Sequence, residues 1–101
     1  MRKLFLVRQG PGKGWVPDAT RKDQPEWQEH ADFLNPLAAR GFILLGGPVS
    51  ETEALLVVEA PDEDTIRTTF AMDPWHKNGV LQTKEIVEWT ILLEHGVEHS
   101  S

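Results

Sequence analysis

Two ionisable side chains, His30 and Asp73, are the residues of this sequence best placed for proton chemistry. On a helical wheel of roughly 100° per residue, Trp27, Ala31, Leu34 and Ala38 fall together, with Leu37 and Phe33 beside them. His30 lies inside this stripe, between Leu37 and Leu34, while Gln28, Glu29, Asp32, Asn35 and Arg40 take the opposite side. The imidazole therefore points into the protein. A second helical segment turns Ile66, Thr69, Phe70 and Met72 inward, and one further residue of the same phase puts Asp73 near the centre of that face. A carboxylate at a helix C-terminus opposes the macrodipole, and a buried one needs partners. An imidazole supplies one. The aspartate then fixes the tautomer and stabilises the imidazolium, and the histidine moves the proton. Taken singly, His30 also reads as a hydrogen-bonded core histidine and Asp73 as a helix stop in an Asp-Pro turn. Their joint inward placement is what points to function.

Other chemistry-bearing residues give weaker signals. Trp27 and Trp75 lie close in sequence to the pair and can wall the pocket of an aromatic ligand. Gly46-Gly47 before Pro48 lets backbone approach a ligand, or simply bends a strand end. Residues 1–22 carry six basic side chains against one acidic, so Arg2, Lys3, Arg8 or Lys13 either faces an anionic ligand or merely offsets an acidic body. Gly10-Pro11-Gly12-Lys13-Gly14 lacks the spacing of a phosphate loop. His95-Gly96-Val97-Glu98-His99 matches the letters of an H-x-x-E-H metal motif, but Gly96 and the nearby chain end favour a solvated tail over the helix that motif needs. His76 reads as a loop histidine.

These residues need a scaffold. Leu4-Phe5-Leu6-Val7 is a short apolar strand that runs into a Gly/Pro-rich loop reaching about Gln24. With three glycines, two prolines and little apolar content beyond Trp15 and Val16, this loop is expected to be the most mobile internal segment. A helix should start at Pro25, preceded by Asp23 or Gln24, and run to about Arg40, stopping at Gly41, with Pro36 kinking it. Strands follow at 42–45 and 55–58, joined as a hairpin, then a helix capped by Asp62 over 63–72, then a last strand at 85–93. The order β-α-β-β-α-β is the α+β, ferredoxin-like arrangement, one antiparallel sheet with two helices on one face. The first three strands are apolar on both faces, so the uncovered face calls for a second copy of the chain.

Length and composition bound the rest. The 101 residues make one domain. The absence of cysteine excludes disulfides, thiolate metal sites and a Cys nucleophile. A net charge of −6 argues against nucleic acid as a partner. No apolar run approaches the length of a membrane span or a signal-peptide core, so the expectation is a cytoplasmic protein with no membrane partner.

His30-Ala31-Asp32-Phe33-Leu34, Gly41-Phe42-Ile43-Leu44-Leu45-Gly46-Gly47-Pro48, Ala54–Glu59, Asp73-Pro74-Trp75 and Trp89-Thr90-Ile91-Leu92-Leu93 together resemble the YciI-related family. The resemblance covers nearly the whole chain from about residue 26, plus the first strand. It implies a dimeric ferredoxin-like α/β barrel and an active site centred on a histidine and an aspartate, matched here by His30 and Asp73. It also implies chemistry of the kind that dehydrochlorinases and lactone isomerases of that superfamily perform. The resulting expectation is a homodimeric, cofactor-free enzyme, a lyase or isomerase acting on a small cyclic or aromatic compound, with no metal. His30 and Asp73 carry the proton, Arg8 binds an anionic substituent, Trp27, Gly47, Pro48 and Trp75 shape the pocket, and the loop 10–24 covers it. The alternative is a non-catalytic dimeric module that binds a small molecule or a partner. Haem or metal binding through His30 is a third reading.

Overall fold

A computed structural model describes residues 3–97. The chain forms β1 (Leu4–Pro11), a single 3-10 turn (Arg21–Asp23), α1 (Trp27–Ala39), β2 (Ile43–Pro48), β3 (Ala54–Glu59), α2 (Glu63–Phe70), the short α3 (Pro74–Lys77) and β4 (Leu81–Glu88). The four strands make one antiparallel sheet in the order β2-β3-β1-β4. This is the α+β, ferredoxin-like fold that the element order predicts, with one extra helical turn before β4. Among the described residues no helix is long and apolar enough to cross a membrane.

Alternation along β1 and β3 sets the two faces of the sheet. Phe5 and Val7 of β1 and Leu56 and Val58 of β3 face the helices and build the core with Leu37 of α1, Ile43 of β2, and Ile66 and Phe70 of α2. On the other face, direct register partners align Leu45, Val57, Leu6 and Val87 as one apolar row across all four strands. Leu45 in this row is 70% exposed. The ion pair Arg8–Glu85 lies on the same face, beside the row.

Several boundaries differ from the sequence expectation, each for a tertiary reason. α1 starts at Trp27, not Pro25, with Glu26 as N-cap in the left-handed region (φ 60). The Trp75 indole N–H donates to the Pro25 carbonyl at 2.6 Å, and the Asn78 amide donates to the Glu26 carboxylate at 2.7 Å. These bonds fix the chain before the helix in a geometry that local capping rules do not foresee. Pro36 sits inside a continuous α1. β4 runs four residues earlier at its start and stops at Glu88, because β1 is its neighbour and pairs with it from Pro11↔Leu81 back to Phe5↔Glu88. After Trp89, whose N–H still donates to Leu4, no strand remains to pair with, and residues 90–93 are irregular. α2 ends at Phe70, and Met72, expected inward, is 62% exposed.

The loop after β1 is tied down where a mobile segment was expected. Gly12 and Gly14 donate their backbone N–H groups to Val80 and Gly79. The buried Gln24 side chain holds the Val16 N–H and the Val16 and Ala19 carbonyls, and Trp15 packs on Trp75, Val80 and Leu81. The glycines serve close approach of two backbones. A Cβ on Gly12 would lie 2.2 Å from the Gly79 carbonyl oxygen. Gly12→Ala is therefore expected to cost roughly 2–4 kcal/mol, measured by urea unfolding. A change within experimental error would contradict this account of the loop.

Candidate functional site

α1 places His30 one turn from its start, where the His30 N–H makes a first-turn bond to the Glu26 carbonyl. The stripe Trp27, His30, Leu34 and Ala38 does not all enter the core. It lines one wall of a cavity of about 290 Å³ whose other walls include Leu44, Gly46, Gly47 and Pro48 of β2, with Gln9 and Arg21. The cavity lies between α1 and the β2 edge of the sheet, and its lining is mainly apolar. That composition suits a small ring held by a few converging polar groups.

Behind His30 stands Asp73, which is fully buried. The His30 Nδ1 atom lies 2.9 Å from both carboxylate oxygens. Asp73 also accepts the Trp75 backbone N–H at 2.9 Å, and the His76 Nδ1 stands 3.6 Å from its second oxygen. His76 in turn bonds Thr83 of β4 through Nε2. Burial alone would push the Asp73 carboxyl pKa up. The bond from His30, the imidazole of His76 close by, the charge interaction with His30 and the Trp75 N–H outweigh it and hold it below the ordinary carboxylate value. An ionised Asp73 accepts and cannot donate, so Nδ1 of His30 carries a proton, and in the neutral ring Nε2 is then the basic nitrogen. The Trp75 indole stacks flat on the imidazole, with centroids 3.8 Å apart and planes 8° apart, and Trp27 leans on both rings. The ring of His30 thus has little rotational freedom.

The position of Asp73 matches the sequence reasoning, but one reason for it does not. The carboxylate does not end α2 against the macrodipole. It is the N-cap of α3, with Pro74 at the first helical position, which is a favourable place for a negative charge.

The other singled-out residues fall in three places. Trp27, Gly47 and Pro48 line the cavity with His30. Trp75 is fully buried and backs the histidine without lining the cavity. Arg8 projects from the opposite face of the sheet, 3.5 Å from Glu85, because it alternates with the inward Val7 and Gln9 along β1. Lys3 pairs with Glu88, Lys13 is exposed, and Arg2 lies outside the described residues. The cation at the cavity is Arg21. His95 and Gly96 lie in a turn closed by the Glu94–Val97 bridge, not in a helix, and His99 lies outside the described residues. The sequence reasoning missed Gln9, Arg21 and the part taken by His76. Gln9 was detectable, since Phe5, Val7 and Gln9 share one face of β1. His76 was detectable from its spacing of three after Asp73. Nothing local marks Arg21.

The fold agrees with the comparisons. A solved structure of 5-chloro-2-hydroxyhydroquinone dehydrochlorinase (TftG) from Burkholderia phenoliruptrix AC1100, in complex with 2,5-dihydroxybenzoquinone, superposes with a TM-score of 0.67. The match has 24% identity and covers 86% of this chain and 93% of that one, a likeness of fold. No curated protein matches the chain. The YCII-related domain family matches residues 1–90. A chain matched over almost its full length, folded as βαββαβ, belongs to the YCII-related domain family.

Proposed function

We propose that this protein is an enzyme in which His30 Nε2 moves a proton on a small cyclic or aromatic compound, in an elimination or an isomerisation. The observation that carries this reading is the cavity-lining imidazole whose Nδ1 is committed to a buried, ionised Asp73 at 2.9 Å. Removing a proton beside a carbonyl or from a ring hydroxyl needs one base of fixed tautomer and a pocket that limits water, and needs no cofactor. Asp73 acts through His30, as its positioning residue. Likeness in fold to a dehydrochlorinase solved with a dihydroxybenzoquinone supports the substrate class. Incubation with chlorinated and unchlorinated hydroxyhydroquinones tests it, following chloride release and deuterium uptake at ring carbons from D2O. Turnover by the wild type, lower by on the order of 10²- to 10⁴-fold in His30→Asn, is the expected result. Equal rates for the two proteins would contradict it.

The reading includes a homodimer. The apolar row Leu45–Val57–Leu6–Val87 crosses the face of the sheet that no helix covers, and a second copy set on that face would bury it. Light scattering at micromolar concentration is expected to give twice the 11.4 kDa chain mass. A folded monomer would contradict the dimer and leave the proton chemistry standing.

A further inference from the structure

Gln9 is a buried polar residue of the cavity that the proton chemistry does not use. It points from β1 toward the helices, in line with Phe5 and Val7, and is 2% exposed. Its amide Nε2 has no hydrogen-bond partner among the described residues. A buried amide left without a partner costs stability, and a leucine at the same place would not. Gln9 lines the same cavity as His30 and Arg21. Arg21 donates three long bonds, of 3.3 to 3.5 Å, to backbone carbonyls of the β2–β3 turn. Among the described residues no carboxylate lies within ion-pair distance of it, and its guanidinium also lies over the Trp15 ring, 6.0 Å from the centroid. Arg21 also borders a second cavity lined by Trp15, Pro17 and Ser50–Thr52, so it is shared by the two.

We propose that Gln9 and Arg21 form an oxyanion-binding site, which narrows the ligand of this cavity to a planar ring bearing a negatively charged oxygen, a phenolate or an enolate. This rests on the reading of His30 as the base. When Nε2 takes a proton from a ring hydroxyl or from a carbon beside a ring carbonyl, the bond's electron pair moves to the ring oxygen, and the imidazolium left behind is matched by Asp73. A small turn of the Gln9 amide, whose Nε2 is buried in the cavity wall, brings its N–H to the new charge on that oxygen, and Arg21 supplies the field from another part of the lining. A donor fixed in an apolar cavity before the charge appears is worth more than one in water. On a chain of net charge −6, binding of an anion depends on such local donors.

The test uses 2,5-dihydroxybenzoquinone, an anion at neutral pH, and p-xylene, an uncharged ring of similar size, titrated calorimetrically. Gln9→Leu is expected to bind the quinone anion on the order of 10- to 100-fold more weakly, to bind p-xylene as well as the wild type, and to melt several degrees higher without ligand. Gln9→Met, closer in shape, serves the same comparison if the leucine variant does not fold. Arg21→Gln is expected to weaken the anion as well and to flatten the salt dependence of its binding. Unchanged anion affinity in Gln9→Leu and Gln9→Met, in a wild type that binds the anion, would overturn the oxyanion site and leave the proposed function intact. A lower melting temperature in both variants would assign Gln9 a structural role and overturn it equally. A wild type that binds neither ring would overturn the small-ring reading and this inference with it.

Discussion

Removing the Asp73 carboxylate, as Asp73→Ala, is expected to cost roughly 3–5 kcal/mol, because two buried N–H donors each lose a charged acceptor at about 1.5–3 kcal/mol apiece. The His30 Nδ1 and the Trp75 N–H both lose their acceptor, and neither group can reach water in its place. The loss should depend on pH with a defined sign. The bonded carboxylate has its pKa held below the ordinary value, so the folded state binds fewer protons there than the unfolded state. Its stabilisation is complete above the ordinary carboxylate range and is lost as pH falls through the lowered pKa. Urea unfolding of both proteins from neutral to acid pH should show the gap closing on acidification. A constant gap, or one that widens in acid, would contradict an ionised, bonded Asp73.

His30→Asn should separate base from scaffold. The asparagine Nδ2 takes nearly the position of the imidazole Nδ1 and can still donate to Asp73, while Nε2 and half of the stacked ring are gone. Stability should fall by about 1–2 kcal/mol, a modest loss for a retained hydrogen bond, whereas turnover should fall by on the order of 10²- to 10⁴-fold, the usual contribution of a general base. Asp73→Asn, which keeps shape but cannot stabilise an imidazolium, should lose a comparable factor, on the order of 10³ to 10⁴ for buried pairs of this kind. The double variant should be little worse than either single one, because the two side chains act as a unit. Melting curves and steady-state rates for the three variants check this. A His30→Asn variant that unfolds as readily as Asp73→Ala while turnover is retained in its folded fraction would make the pair a structural one.

The legible parts of this fold were those that local pattern determines. Short apolar runs marked β1, β2 and β3 as strands, and the 3.6-residue period placed His30 among Leu34 and Leu37. The Asp62 cap of α2 was readable because its carboxylate serves only its own first turn, at Thr65. What pattern could not show were features set by distant partners. The start of α1 is decided by bonds from Trp75 and Asn78, about fifty positions away. The glycines of the loop after β1 read as freedom, yet they are required for packing against Gly79. Arg8 and Arg21 are the same residue type, and only the sheet and the 3-10 turn decide which one reaches the cavity. Asp73 was placed through a helical phase that does not extend so far, and the α3 N-cap holds it there instead.

The central claim is that Asp73 holds the proton of His30 at Nδ1 and presents a bare Nε2 to the cavity. Nitrogen-15 NMR of the protein labelled at its histidine rings measures this directly at neutral pH. His30 should show a protonated, Asp73-bonded Nδ1 and an unprotonated Nε2 whose signal moves when a ring oxyanion binds, with the pattern lost in Asp73→Ala. A His30 ring that carries its proton on Nε2, or whose Nε2 signal ignores the ligand, would contradict it.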